Sequence, residues 1–519
     1  MKKMDLSKVL MVTAIFAFAA CTDLEVEEKD SVVTESESGE FTGVDAAATL
    51  TSAYNDLQVL GDQAREYALT TVTSDEMLVP TRGTDWGDNG VWRTLHEHTW
   101  DATHRDVVDS WNDLNQRVFR LNQLLDPATG ASVSQTAEGK FLRAFYMYMI
   151  LDFYGKIPFR AATDGVDVDP IVLEAPEAFD FIIKDLEEAL PSLAVITANS
   201  IDGQKKASKA SANFLLAKMH LNKHIFISPD RNSPGAPQAA DMNKVIQYVD
   251  AIEADGYTLQ NGFFDIFKQT ADSETIFWTP SGVGNRMWNG LHYKQGTADN
   301  TGGGWNGFST TADFYALFEG SATSNEPGNG QEERRGFVPN TPTTTGIGYG
   351  FLFGQQYDKD GNPLTDRPGN PLVFTTEFST SGIVGNNERT GVRVIKYHPE
   401  NGGFTNHYIL FRYADAYLMK IEAILRGGTP SGASALDLYN GLRTIRSAST
   451  AASVSLDDIL DERGRELYIE GWRRNDQIRF GTYTSTWPLK SNTETFRVLF
   501  PIPAQAISSN PNLTQNPGY

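Results

Sequence analysis

Leu456-Asp-Asp-Ile-Leu-Asp-Glu-Arg-Gly-Arg-Glu-Leu-Tyr-Ile-Glu-Gly-Trp-Arg-Arg-Asn-Asp476 is the stretch from which the fold is read. Ser455 before it and Asp458 three residues on resemble a capping box, although Glu or Gln is the usual partner. Its charges fall at spacings that permit pairs along one helix, Glu466 or Glu470 with Arg473 or Arg474. Gly464 inside the run is expected to weaken a helix by about 1 kcal/mol relative to alanine. Just upstream, Leu410, Tyr413, Tyr417, Ile421 and Ile424 recur at steps of three and four, which predicts an α-helix stopped at Gly427-Gly428. Leu438, Tyr439, Leu442 and Ile445 supply the buried side of a second. Tyr408 to Phe480 thus reads as stacked helices.

Working outward, helical periodicity is present near Val44 (Ala47, Leu50, Tyr54, Leu57) and over 106–125, 137–154, 175–190, 207–224 and 241–254. Paired helices of this size suggest tetratricopeptide-like hairpins, although no clean repeat of about 34 residues is present. From about 256 to 405 Gly, Asn, Thr and Pro become dense. The apolar runs there are short, such as Thr275–Trp278 and Val392–Tyr397, and predict long loops with a few strands. So long an irregular section in a compact protein is usually functional. Phe496–Phe500 could pair as a strand before Pro501.

Several ordered motifs resemble the SusD/RagB family, nutrient-binding outer-membrane lipoproteins of Bacteroidetes. They are Arg412-Tyr-Ala-Asp-Ala-Tyr-Leu-Met-Lys420, Glu462-Arg463 through Glu470-Gly-Trp-Arg-Arg-Asn-Asp476, and Leu499-Phe-Pro-Ile-Pro503 with the tail Asn510–Tyr519. Asp152-Phe-Tyr-Gly-Lys-Ile-Pro-Phe159 adds a fourth. The resemblance implies a mainly α architecture: a tetratricopeptide-like helical hairpin scaffold with a loop-rich insertion containing short strands. It divides the chain into a signal peptide (1–20), an acidic tether (21–40), an N-terminal helical region (41–255), a loop-rich ligand-binding region (256–405) and a C-terminal helical region with tail (406–519).

The 519-residue chain has a formal charge of −22 and a single cysteine. Such acidity argues against nucleic acid, whose phosphates are bound through Lys and Arg excess. One cysteine excludes an intrachain disulfide and a cysteine zinc cluster. Its position is informative: Lys2-Lys3 precede an apolar run, Val9 to Ala20, that is too short to span a membrane and ends in Ala19-Ala20-Cys21. This resembles a bacterial lipobox, in which the Cys21 thiol is acylated. The acidic, Ser-rich segment that follows is expected to be a flexible tether. The family then implies an outer-membrane, lipid-anchored protein facing the cell exterior.

Tryptophans in polar loops carry the functional hint. An indole face stacks on the C–H face of a pyranose, and neighbouring Asp, Asn and Arg bind its hydroxyls. Thr84-Asp85-Trp86-Gly87-Asp88-Asn89, Asn285-Arg286-Met287-Trp288-Asn289 and Gly302-Gly303-Gly304-Trp305-Asn306 have that mixture. Trp111 and Trp472 fall in apolar helical stripes and Trp278 in an apolar run, so all three read as core residues. Trp86, Trp288 and Trp305 have little local core to bury them and are the stacking candidates, with Asp85, Asn89, Arg286 and Asn306 as hydrogen-bonding candidates.

His96-Glu97-His98 with His104, and the helical pair His220/His224, permit a metal reading but lack a zinc-protease Glu or a helical frame. Asp358-Lys-Asp-Gly-Asn362 resembles half a calcium loop without its closing Glu, and reads rather as a turn. No metal and no cofactor are expected. No nucleophile elbow, phosphate loop or dinucleotide fingerprint is present. The expected function is non-catalytic capture of oligo- or polysaccharide, with a neutral β-glucan the preferred class, and the resemblance to the SusD/RagB family implies delivery to a SusC-like TonB-dependent transporter. Peptide binding, as in the RagB branch, is the alternative, and a lipid-anchored glycoside hydrolase a third.

Overall fold

Short polar residues start the helices and glycine ends the longest. Asp45 accepts from Ala48 N ahead of the first helix, and Ser132 with Gln135, Ser208 with Ser211 and Ser455 with Asp458 close capping boxes. Gly155, at φ 75°, stops Val133–Tyr154 in a left-handed turn that a side chain would strain. The computed structural model describes residues 33–35 and 41–519 apart from 166, 281–287, 297–302, 329 and 401–406. The leader, Cys21, most of the tether and Arg286 lie outside the described residues.

The helices are α1 Ala46–Asn55, α2 Val91–His96, α3 Arg105–Leu125, α4 Val133–Tyr154, α5 Ala175–Ala189, α6 Lys209–Phe226 and α7 Ala239–Ala254. After the strand-bearing middle come α8 Ala312–Ala316, α9 Tyr413–Leu425, α10 Ala435–Ile445, α11 Leu456–Leu467, α12 Arg473–Arg479 and α13 Ala504–Ser509. Consecutive helices pack side by side: α3 on α4, α4 on α5, α6 on α7, and α9 on α7 and α11. This is the hairpin scaffold that the family resemblance implies, built of helices whose boundaries lie within a few residues of those the periodicity predicts.

The middle contributes short antiparallel strands. β1 (Val33–Glu35) and β2 (Phe41–Val44) pair near the start of the described chain, and β3 (Ile157–Phe159) pairs with β4 (Ile171–Leu173). β5 (Thr275–Pro280) pairs with β11 (His407–Arg412), Trp278 opposite Ile409. β6 (Gly336–Phe337), β7 (Tyr349–Leu352) and β10 (Arg393–Ile395) form a three-stranded sheet, and β8 (Gly354–Gln355) pairs with β9 (Val373–Phe374).

Three local expectations fail. Leu410 belongs to β11, not to a helix: His407-Tyr-Ile-Leu-Phe-Arg412 is buried throughout against β5, and helix begins only at Tyr413. Phe496–Phe500 is not a strand; Thr495–Val498 is a 3-10 turn. The run from Leu456 to Asp476 is two helices. The chain leaves α11 at Tyr468, and Ile469 takes φ 54°, an uncommon conformation for a β-branched residue. Its N–H donates to the buried Glu76 carboxyl at 3.1 Å.

Pairing along the helix occurs between Glu462 and Arg465 (2.6 Å), but the pairs of Glu466 or Glu470 with Arg473 or Arg474 are absent. Arg473 pairs instead with Asp75 and Arg474 with Asp152. Glu466 and Glu470 belong to a buried network of six basic and six acidic side chains: Arg334, Lys396, Arg412, Arg443, Arg446 and Arg465 with Glu274, Glu319, Glu332, Glu462, Glu466 and Glu470. Isolated buried ions would be costly, and here each is paired. The network ties α10 and α11 to the start of β5, the end of β11 and the loop at 332–335. Gly464 has a packing reason: a Cβ there would lie 2.9 Å from Arg473 Nη1.

Candidate functional site

The loop 81–92 is built to present side chains outward. Arg82 and Asp85 exchange backbone hydrogen bonds of 3.0 Å, closing a tight turn. Trp86, Asp88 and Asn89 then follow at φ 61°, 37° and 53°. Three non-glycine residues in or near the left-handed region within four positions, interrupted only by Gly87, need external support.

Arg82 provides it. Its guanidinium donates to Asn306 O (2.7 Å), Asn387 O (2.7 Å), Gly307 O (3.2 Å) and Ser309 Oγ (2.8 Å). Arg393 does the same from the other side, donating to Asn306 Oδ1 (2.7 Å), Glu388 O (2.9 Å), Thr390 O (2.5 Å) and Ser309 Oγ (2.7 Å). Burial lowers both guanidinium pKa values, that of Arg82 to about 9. Five rigid donors let one arginine satisfy several carbonyls from distant loops at once. Loops 81–86, 303–309 and 386–391 are thereby locked into one surface.

Two of the three candidate indoles meet on it. The Trp86 Nε1–H donates to Trp305 O at 2.7 Å. The Trp86 ring is half-buried against Phe308, edge-on at 5.7 Å, and lies directly over Gly307, where a Cβ would come within 2.4 Å of the indole. Trp305 is 45% exposed. Trp288 is a correction: it is 6% exposed and packs in a satellite core with Leu291, Ile347, Leu352, Leu372, Phe374 and Ile395. Its environment is polar in sequence but apolar in space. Trp288 still shapes the surface, because its carbonyl accepts from Trp305 N at 2.6 Å.

Among the polar candidates, Asp85 lies at the surface and Asn89 is exposed on the 3-10 turn Asp88–Gly90. Asn306 is a second correction. It is fully buried, accepts from Arg393 and donates to Glu388 O, so its amide is committed to the framework. Arg286 lies outside the described residues. Trp111 and Trp278 are buried as expected, and Trp472 is half-buried against the main core.

Sequence reasoning missed a second group beside Asp85. Asp85 Oδ2 accepts from the Tyr293 hydroxyl and from Arg367 Nη2 (3.1 Å), and the Arg367 guanidinium lies 4.0 Å above the Tyr293 ring. Arg367 Nε donates to Glu388 Oε1, while Glu388 Oε2 accepts from Arg367 N (2.8 Å) and His292 Nε2 (2.9 Å). Burial alone would raise the Glu388 carboxyl, but the Arg367 donors and His292 outweigh it and hold it below the usual range. Burial drops His292 to about 4, so the ring is neutral. The proton sits on Nε2, because Nδ1 accepts from Lys294 N at 3.2 Å. Burial, then the Asp85 carboxylate, pushes Tyr293 up to about 12.

One signal could have found this group. Asp358-Lys-Asp-Gly-Asn-Pro-Leu364 and Asp366-Arg-Pro-Gly-Asn-Pro-Leu372 are a tandem repeat, and both fold into the same turn, Gly361 N and Gly369 N donating to Asp358 O and Asp366 O at 3.1 Å. The second copy carries Arg367 to the site. The first is the turn expected at 358–362. Rings of His96, His98 and His104 face backbone carbonyls and His220 Nδ1 faces Asp241 at 3.0 Å. Among the described residues no group of three or more His, Cys, Asp or Glu could hold a metal ion.

The geometry is that of a binding protein: a helical hairpin scaffold carrying a loop surface with an exposed indole, a second indole beside it, and a cation, a tyrosine and carboxylates. The SusD family model matches residues 273–497 and 485–519. The chain is 24% identical over 481 residues to the starch-binding protein SusD of Bacteroides thetaiotaomicron, covering 84% of this chain and 82% of that one. It is 24% identical to SusD-like protein P25 of Formosa agariphila, with 86% of each covered. A SusD-like protein of Bacteroides fragilis shares the fold with a TM-score of 0.69 at 19% identity, over 94% of this chain and 98% of that one. A laminarin-binding SusD-like protein superposes with a TM-score of 0.59 at 19% identity, over 91% and 99%. The chain belongs to the SusD family. No helix among the described residues is long and apolar enough to cross a membrane.

Proposed function

We propose that this protein is a lipid-anchored surface protein that captures oligo- or polysaccharide without cleaving it and passes it to a SusC-like TonB-dependent transporter in the outer membrane. The observation that carries glycan capture is the coupling of Trp86 and Trp305. One indole N–H fixes the backbone of the other, and the second ring stays 45% exposed on a rigid surface. An ordered, partly dehydrated ring loses little freedom on stacking, which favours binding of a rigid sugar face. The relatives' names, starch-binding and laminarin-binding, support the ligand class. A neutral glucan fits the local charge, since Arg367 is already flanked by Asp85 and Glu388. The anchor is Cys21, and the hairpin scaffold would face the transporter.

A glycan array on detergent-solubilised protein, followed by affinity gels with Trp86→Ala, Trp305→Ala and the double variant, tests the reading. Retention of a neutral glycan that the double variant loses, with no new reducing ends, is expected. Retention unchanged in the double variant removes the assignment. Co-purification with a barrel transporter from solubilised outer membrane tests the delivery partner.

A further inference from the structure

The group beside the indoles keeps hydrogen-bonding capacity that its internal contacts do not use. Arg367 uses Nε on Glu388 and Nη2 on Asp85, which leaves both N–H groups of Nη1 without a protein partner among the described residues. Asp85 receives both Tyr293 and Arg367 on Oδ2, so its Oδ1 is likewise unused. Arg367 and Asp85 are 53% and 36% exposed along their side chains. A donor pair and an acceptor thus stand next to each other at the surface, on an ion pair that cannot swing away. The guanidinium is held between two carboxylates and the Tyr293 face, 4.0 Å beneath it.

We propose that Arg367 Nη1 and Asp85 Oδ1 form a fork for two adjacent hydroxyls of one pyranose. One hydroxyl accepts from the guanidinium and its neighbour donates to the carboxylate. This inference rests on the glycan reading above and narrows its ligand class. A 1,4-linked hexose polymer keeps its 2- and 3-hydroxyls free on every internal residue, and a 1,6-linked one keeps three in a row. A linear 1,3-linked polymer has none on its internal residues, because the glycosidic oxygen occupies position 3 and separates hydroxyls 2 and 4; only its chain ends carry an adjacent pair. The fork therefore favours 1,4- or 1,6-linked neutral glycans over 1,3-linked ones. A uronate or sulfate placed there would meet Asp85 and Glu388, so uncharged sugars are preferred.

The test is calorimetric titration of detergent-solubilised full-length protein with linear hexaoses of glucose and mannose, linked 1,3, 1,4 or 1,6. The variants are Arg367→Gln, Arg367→Lys and Asp85→Asn. Hydrogen bonds to charged groups are among the stronger ones, so each variant is expected to weaken 1,4- or 1,6-linked ligands about tenfold or more. The 1,3-linked ligand should change by clearly less than these, because only its two terminal residues, and none of its internal ones, can engage the fork. Arg367→Lys separates geometry from charge: it keeps the cation and loses the planar pair of donors. A variant that merely loosens the loop would weaken all ligands alike, and that result overturns the fork while leaving glycan binding standing. So does wild-type protein that prefers 1,3-linked chains, or variants without effect. Wild-type protein that binds no hexaose here and no glycan on the array brings down both readings.

Discussion

Replacing Glu466 by Gln should be among the most damaging isosteric changes in the molecule. Glu466 is fully buried and its two oxygens serve three arginines: Oε1 accepts from Arg412 (2.8 Å) and Arg446 (2.9 Å), Oε2 from Arg334 and Arg446 (both 3.1 Å). Burial would raise its carboxyl, yet the three guanidiniums hold it well below the ordinary range. Gln keeps the shape, removes the charge and turns an NH2 toward donors. The remaining carboxylates Glu274, Glu332, Glu462 and Glu470 cannot move in, because each is already bonded. Breaking one partner of a buried ion network costs about 3–5 kcal/mol, and this site lies at the upper end because three cations lose it together. Urea unfolding followed by tryptophan fluorescence reads the loss. Asp202→Asn, which breaks the exposed Lys205 pair, is the control and should cost less than about 1 kcal/mol. A Glu466→Gln cost no larger than the control would refute the idea that this network holds α10 and α11 to the strand-bearing middle.

Trp288→Ala and Trp305→Ala should separate cleanly. The first empties a buried site and costs about 3–5 kcal/mol of stability, while the second leaves the melting curve nearly unchanged and lowers glycan affinity severalfold; reversed outcomes in melting and affinity gels would exchange their roles. Gly464→Ala should destabilise by about 1–3 kcal/mol despite the better helix propensity of alanine, because Arg473 is pinned by Asp75 and by Leu460 O (2.8 Å) and cannot yield to a Cβ at 2.9 Å; denaturant midpoints decide the sign. Acid should destabilise in two steps. Burial drops His220, His292 and His407 to about 4, so between about pH 6.5 and 4 the unfolded chain takes up protons that the folded chain refuses, and stability falls as pH falls. Burial opposes ionisation of Glu462, but Arg334, Arg465 and Arg443 hold it at about 2, so its contribution, complete above about pH 4.5, is lost between there and pH 2. Unfolding free energies measured from pH 7 to 2 should show both phases, and Glu462→Gln should flatten the second.

Much of the scaffold was legible because helices are local. Spacing of apolar residues places α3 to α7 to within a few residues, and Ser455 caps α11 as its sequence suggests. What failed depended on partners far along the chain. Glu466 and Arg473 have helical spacing in the sequence, but the helix breaks between them and each meets a counter-charge elsewhere, at the buried Arg334 and Arg412 or at Asp75. Leu410 has helical spacing too, yet β5 offers its segment a strand partner.

By itself the sequence determined the helical class, the lipobox-like leader, the family motifs and the idea that aromatic residues in polar loops bind sugar. Only the tertiary structure decided which indole meets water. Burial is set by every segment that packs on a residue, and Trp288 is covered by strands contributed from residues 347 to 395, whereas Trp305 has nothing folded over it to the same extent. The Arg367–Asp85 fork joins side chains 282 positions apart, a separation at which no local spacing carries information.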